Sequence, residues 1–263
     1  MKLIADNIRI TKQSIQQALI KKDPLPIQSL AALCVQKGTQ GIDINPGPLG
    51  KDPEEAMTFF VKAVEQVTDL PLFLDTTNPA AMAAGLATAR NKTIINGISL
   101  EPAKLEKILP LAKKYGTDVI GFLLYPDSRV PKDSSERFEI ALELTARIEG
   151  AGVAKERLII DPVVPPLSWD DGLFRARELL KTISLLPELL GFPVRSIAGL
   201  SNLTTGVMDK SRKTLVESAY LSMLASAGLE YLMLDILNPH TISTARAAAL
   251  LTREDIFSWE SLP

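Results

Sequence analysis

The sequence predicts an α/β fold, a single closed (β/α)8 barrel (a TIM barrel) with residues 1–263 as one domain. Three observations lead to it. Eight short apolar runs alternate with longer helix-like segments, the pattern of parallel strands joined by helical crossovers. The length, 263 residues, is that of one such barrel, about 250 residues. No Gly/Ser- or Pro-rich linker divides the chain, and no glycine-rich dinucleotide fingerprint follows the first run, which argues against an open doubly wound sheet.

The elements follow in order. Residues 3–8 alternate apolar and polar as a first strand, and 15–37 read as helix, interrupted at Asp23-Pro24-Leu25-Pro26. Gly41-Ile42-Asp43-Ile44-Asn45 is a second strand, ended by Pro46-Gly47-Pro48. Asp52-Pro53 opens a helix, with Asp as cap and Pro at its first position. Residues 72–75 make a third strand, and Asn78-Pro79 caps an Ala-rich helix to Ala89. Residues 93–96 and 118–124 are strands four and five, with a helix over 101–115 between them and an amphipathic helix over 136–149 after them. The sixth strand is 158–161, followed past the Pro-rich stretch Pro162 to Pro166 by a helix over 170–190. The seventh is 195–199, with a helix over 211–227; the eighth is 230–235, with a last helix over 239–251. That makes eight strands and eight helices.

Composition narrows the function. With 46% hydrophobic and 23% charged residues, the chain reads as an ordinary globular protein. Lys plus Arg number 29 against 31 Asp plus Glu, so no basic field exists to hold a nucleic-acid backbone. Asp6, Arg9 and Lys12 break the apolar N-terminus before a signal-peptide core forms, and no run nears the roughly 18 apolar residues of a membrane span. A cytoplasmic protein without a membrane partner is expected. The one cysteine, Cys34, excludes an internal disulfide and sits in an apolar run that suits burial.

In a barrel of this kind the C-terminal strand ends form the active site. Asp43, Asn45, Asp75, Asn96, Asp161, Asn202 and Asp235 therefore face one mouth. The single histidine, His240, reads as a helix-start residue, and with one His and one Cys a zinc site of those ligands is excluded. An oxygen-only Mg²⁺ site stays open, as does simple helix capping by individual Asp and Asn residues. A Ser-His-Asp arrangement has no nucleophile elbow around Ser201. A glycosidase needs two carboxylates flanking a sugar, and Asp75 with Asp161 supplies such a pair, yet only 5% of residues are aromatic and none is evident there for sugar stacking. A flat heterocycle suits the inventory better. Carboxylates accept paired hydrogen bonds from an N–C–N edge, and amides both donate and accept.

These residues bring out a resemblance that covers the whole chain. Gly41-Ile42-Asp43-Ile44-Asn45 with Gly47-Pro48, Leu74-Asp75-Thr76-Thr77-Asn78, Ile95-Asn96-Gly97-Ile98-Ser99, Ile160-Asp161-Pro162 and Gly199-Leu200-Ser201-Asn202 resemble, in order and spacing, the pterin-binding methyltransferases. That family moves a methyl group between 5-methyltetrahydrofolate and the cobalt of a corrinoid protein. The resemblance implies a pterin held across the mouth by Asp75, Asn96 and Asp161, with Gly199 and Ser201 on the same wall and Asn202 beside the methyl-bearing nitrogen as the catalytic residue. It also implies tetrahydrofolate or 5-methyltetrahydrofolate as substrate, a corrinoid (cobalamin) carried by a partner protein, no metal bound by the chain itself, and a homodimer. Asp43, Asn45 and Arg212 are further candidates, Arg212 in place of the family's loop arginine.

The chain departs from the family in two places. Where many members carry Gly-Glu-Arg-x-Asn at the first strand end, this sequence has Ala5-Asp6-Asn7-Ile8-Arg9, and its loop after Asn202 is longer. An altered mouth suggests a corrinoid partner other than the iron–sulfur corrinoid protein, such as one serving O-demethylation. The alternatives are a dihydropteroate synthase-like enzyme or a non-catalytic folate-binding subunit. Dihydropteroate synthase would need a Ser-x-Arg-Pro-Gly loop after the second strand and an Arg-x-His end, and neither is present.

Overall fold

The computed structural model describes residues 1–47, 52–252 and Trp259. Pro48, part of the turn expected after the second strand, lies outside them. The strands are β1 (Lys2–Arg9), β2 (Ile42–Asn45), β3 (Leu72–Asp75), β4 (Thr93–Ile98), β5 (Asp118–Phe122), β6 (Leu158–Asp161), β7 (Arg195–Gly199) and β8 (Tyr231–Leu234). Every neighbouring pair is parallel, and β8 closes onto β1 with Lys2 to Ala5 opposite Tyr231 to Leu234, so the sheet is a closed barrel in sequence order. The helices are α1 (Gln13–Lys21), α2 (Leu25–Gln36), α3 (Pro53–Glu65), α4 (Pro79–Thr88), α5 (Pro102–Tyr115), α6 (Ser134–Gly150), α7 (Gly172–Leu190), α8 (Lys210–Ser226) and α9 (Pro239–Leu251).

The expected first helix is two, giving nine helices among the described residues instead of eight. Lys22 adopts a left-handed backbone (φ 53°) and ends α1, and α2 starts after Pro24. β5 stops at Phe122, short of residue 124. Asp52 sits at the N-cap position of α3 as expected but makes no side-chain cap bond. Asn78 does cap α4, accepting from the Ala80 and Ala81 amides, and Asp133, Asp209 and Asn238 cap α6, α8 and α9 in the same way. Cys34 is buried in α2, which pushes its thiol up to about 11. Among the described residues, no helix is long and apolar enough to cross a membrane.

The two-residue period of a strand sorts side chains between the barrel's interior and its helix-facing outside. Ile4, Phe73, Ile94, Ile120, Ile159, Ile197 and Met233 form the interior cluster. Their neighbours Leu72, Leu74, Ile95 and Ile160 pack outward against the helices. Phe73, at 1% exposure, meets Tyr231 edge to face with ring centroids 6.3 Å apart. Phe73→Ala is expected to cost about 3–5 kcal/mol in denaturant unfolding, because the closed wall cannot collapse into the void. A cost under about 1 kcal/mol would mean that the interior cluster does not hold the barrel.

The same period fixes what comes next along each strand. Two residues past Phe73 is Asp75, past Ile94 is Asn96, past Ile159 is Asp161, past Ile197 is Gly199, and past Met233 is Asp235. On β2, Ile42 and Ile44 face outward, which leaves Asp43 and Asn45 inside. A polar layer therefore caps the apolar one at the C-terminal end of the barrel.

Candidate active site

Within that layer the side chains organise in pairs. Asn45 donates its Nδ2 to Asp75 Oδ2 at 2.5 Å, and its Oδ1 accepts from the Gly47 amide at 2.9 Å. Asn96 donates its Nδ2 to Asp43 Oδ1 at 3.0 Å. The register places Asp75 opposite Asn96 on β3 and β4, so the two pairs are adjacent. β4 bulges between Asn96 and Ile98, a device that re-aims a side chain next to a site. The bulge brings Gly97 against β5: a Cβ there would lie 2.5 Å from the Ile120 carbonyl oxygen, so only glycine fits.

Burial sets the electrostatics. Asp43, 3% exposed, is held well above the ordinary carboxylate range by desolvation and then by the charge of Asp75. Asp75 is raised to about 6 by burial, with the Asn45 hydrogen bond and Arg9 pulling the other way. Asp161, 7% exposed, is raised to about 7 by burial. Its compensation is one hydrogen bond from the Val163 amide at 2.8 Å, and Val163 holds a left-handed backbone (φ 62°) to make it. The buried guanidinium of Arg137 donates to the Pro162 carbonyl at 3.1 Å and braces the same turn.

Asn202 lies in a 3-10 turn, Leu200–Thr204, that follows β7 directly. Leu200 and Leu203 are buried and anchor the turn, while Asn202 is exposed and its carboxamide has no hydrogen-bond partner among the described residues. A Cβ on Gly199 would lie 3.6 Å from Asn202 Nδ2, so that amide folds back over the end of β7. Free polar atoms thus remain on Asp75 (Oδ1), Asn96 (Oδ1), Asp161 (Oδ2) and Asn202, and these four are available to a ligand.

The other candidates are distributed around the rim. Asp43 and Asn45 belong to the buried pairs already described. Ser201 lines a cavity of about 260 Å³ at the seam where β7, β8 and β1 end. Asp235 lines the same cavity and accepts from Asn7 Nδ2 at 2.5 Å. Arg212 stands apart in the first turn of α8, its side chain 81% exposed and paired with Asp209 at 3.3 Å. His240 is exposed at the start of α9, as expected of a helix-start residue. Among the described residues, no three His, Cys, Asp or Glu side chains group as metal ligands.

Sequence reasoning left Asp6 and Asn7 without a place. Asp6 is 7% exposed and ion-paired with Arg9, and burial raises its carboxyl despite that partner. Asn7 is 2% exposed and bridges to β8 through Asp235 and the Ile236 amide. The signal was present: Asp6 lies two residues past Ile4, as the other mouth residues lie past theirs.

A family model described as pterin binding enzyme matches residues 8–235. The chain is similar to the methylcorrinoid:tetrahydrofolate methyltransferase of Eubacterium limosum, at 20% identity over 89% of this chain and 85% of that protein. It is also similar to methionine synthase of Mycobacterium tuberculosis, at 24% identity over 83% of this chain, but it spans only 19% of that protein. Among solved structures, dihydropteroate synthase from Xanthomonas albilineans in complex with 7,8-dihydropteroate superposes with a TM-score of 0.66 at 19% identity, covering 95% of this chain and 92% of that one. A Yersinia pestis dihydropteroate synthase with a pterine-sulfa conjugate gives 0.67 at 17% identity, over 95% and 91%. At these identities the structural likeness is one of fold.

Proposed function

The chain belongs to the pterin-binding enzyme family, and from that premise we propose that it is a methyltransferase moving a methyl group between tetrahydrofolate and the cobalt of a corrinoid protein. The observation that carries this reading is the unpartnered carboxamide of Asn202, standing at the same mouth as an acid and amide set able to hold a fused heterocycle. The likeness to the Eubacterium limosum methyltransferase supports it, since that match runs through 85% of the relative. The likeness to dihydropteroate synthases does not outweigh it, because the residues after β2 lack that enzyme's arginine loop and His240 is exposed with no Arg two residues before it.

In this reading Asp75 and Asp161 accept from the N–C–N edge of the pterin, and Asn96 Oδ1 accepts from a further ring N–H. Each charge-assisted bond contributes about 1.5–3 kcal/mol. When 5-methyltetrahydrofolate is the donor, the cobalt(I) supplied by the corrinoid protein forms the new bond to carbon as the N–CH₃ bond breaks. The departing nitrogen keeps the electron pair and takes up a proton. A hydrogen bond from the Asn202 amide to that nitrogen grows stronger as charge develops, so it favours the transition state over the bound substrate. The reverse direction uses the same contacts. The reading carries with it a cytoplasmic homodimer in which the barrel is the single domain.

The test is to mix the protein with 5-methyltetrahydrofolate and free cob(I)alamin and to follow the visible spectrum. Conversion to methylcobalamin is the expected result. Pterin binding with no conversion would make the chain a folate-binding subunit, and no pterin binding would end the reading. The divergent Asp6, Asn7 and Arg9 and the longer loop after Asn202 support a demethylase corrinoid protein as partner. Transfer no faster with that protein than with an iron–sulfur corrinoid protein would reject this part.

A pH dependence follows from the raised acids. Ionised, Asp161 and Asp75 each present a free oxygen that only accepts, whereas protonation can turn that oxygen into a donor facing the pterin N–H groups, and burial raises these carboxyls to about 7 and about 6. Pterin affinity is therefore expected to fall as pH drops from 8 to 5, by about tenfold per pH unit for each group once below its pKa. Isothermal titration across that range measures it. A flat profile would show that the carboxylates do not grip the ligand in ionised form.

A further inference from the structure

The carboxamide of Asn202 bonds to nothing among the described residues, so its place is set by the backbone that carries it. What fixes the turn Leu200–Thr204 therefore fixes the amide. Leu200 and Leu203, each 1% exposed, hold the turn by burial, a force without direction. Two directed bonds add to that. The Leu203 carbonyl accepts from the Leu167 amide at 3.0 Å, and the Thr204 hydroxyl donates to Glu217 Oε1 at 2.5 Å.

Glu217 is an unusual residue for its position. On α8, residues 217, 220, 221 and 224 have the i, i+3, i+4, i+7 spacing of one helix face, and Glu217, Tyr220, Leu221 and Leu224 are all buried. A core face thus carries an acid at its first position. Burying a carboxylate is unfavourable unless it is hydrogen-bonded or paired. Glu217 is both, with the Thr204 hydroxyl and, one turn earlier on the helix, the Lys213 ammonium at 3.6 Å. Other buried oxygens at the seam, Asp6 Oδ1 and Thr241 Oγ1, have no partner among the described residues. A leucine at 217 would serve packing as well. The carboxylate adds a short charge-assisted bond to a residue two positions from Asn202.

Resting on the reading that Asn202 donates to the departing nitrogen, we propose that Glu217 is its positioning residue, holding Thr204 from α8 and so fixing the turn before substrate binds. A donor already in place needs no reorganisation as charge develops, whereas one on a loose turn has to be ordered at that moment. Glu217 acts through Thr204 and the turn.

Two measurements on the full chain test this. Hydrogen exchange of the apoprotein, read by mass spectrometry, reports on the turn without any activity. Glu217→Leu should speed exchange of the Thr205 and Val207 amides, which bond to the Asn202 and Thr204 carbonyls at 3.2 and 3.0 Å, while β3 and β6 keep their native protection. Thr204→Val, which removes the same bond from the other side, should do likewise and serves if Glu217→Leu does not fold. Turnover with cob(I)alamin at saturating 5-methyltetrahydrofolate reads the consequence. Glu217→Leu is expected to lower it by about 10–100-fold, the scale of a misplacement of about 1 Å, with pterin affinity unchanged. Glu217→Gln keeps an acceptor for the Thr204 hydroxyl and should recover most of the loss. In an Asn202→Ala background Glu217→Leu should cost little more, because the two residues act through one group. Unchanged exchange in the turn, no recovery by glutamine, or a full loss in the Asn202→Ala background would overturn the proposal and leave the Asn202 reading intact. Native turnover of Asn202→Ala itself would overturn both.

Discussion

Asn202→Ala is expected to lower methyl-transfer turnover by about 100–1000-fold, the range for losing a single preorganised donor to a developing charge. The substitution isolates chemistry from folding. Asn202 is exposed, its turn is anchored by the buried Leu200 and Leu203, and its carboxamide bonds to nothing among the described residues. Truncation therefore removes no core contact and orphans no buried partner, so the melting temperature should stay within a degree or two of the native value. Pterin affinity should change little, because the interaction gains its strength only as the carbon–nitrogen bond breaks. The measurement is stopped-flow absorbance at saturating 5-methyltetrahydrofolate. Turnover near the native rate would remove Asn202 from the chemistry and leave the acids as a binding device alone.

Asp161→Asn is expected to weaken pterin binding by about 10–100-fold and, at pH 8, to make the apoprotein more stable. The two effects share one cause. Burial raises the Asp161 carboxyl from the ordinary 3.8 to about 7. A raised carboxyl contributes stability that is fully present below about 3.8 and is lost as pH climbs through 7. The native protein at pH 8 therefore carries a buried charge held by one backbone hydrogen bond. Asparagine keeps an acceptor for the Val163 amide and removes the charge. The gain at pH 8 should be on the order of 2–4 kcal/mol, or roughly 4–10 °C in melting temperature. It should shrink toward zero near pH 4. If the native protein melts higher than the variant at pH 8, then the carboxylate is not strained by burial. A stability gain bound to a loss of affinity is the ordinary mark of a functional site.

How much of this was legible beforehand depended on range. β3, β6 and β7 have the expected bounds because each is a short apolar run closed by a polar residue, a signal contained within a few positions. In sequence α1 and α2 read as one interrupted helix, since the left-handed turn at Lys22 depends on a backbone conformation that a lysine rarely adopts. Asp52 failed as a cap although its type and position suited one, because a cap needs its side chain aimed at the helix amides and nothing in the local pattern fixes that aim.

The candidate site divides in the same way. That Asp75, Asn96 and Asp161 end interior-facing strand positions follows from alternation alone. That Asn45 holds Asp75 and Asn96 holds Asp43 follows from the register between strands about 30 and 53 residues apart, which no local pattern records.

Periodicity and strand-end chemistry, read from the chain alone, determined the closed barrel and a mouth rich in carboxylates and amides. Only the tertiary structure decided the seam. Asn7 meets Asp235 across 228 residues of sequence when β8 closes onto β1, and that closure creates the cavity with its two unpartnered buried oxygens. Contacts within one strand are set by the pleat, whereas contacts across the closure exist only once every strand between them has found its register.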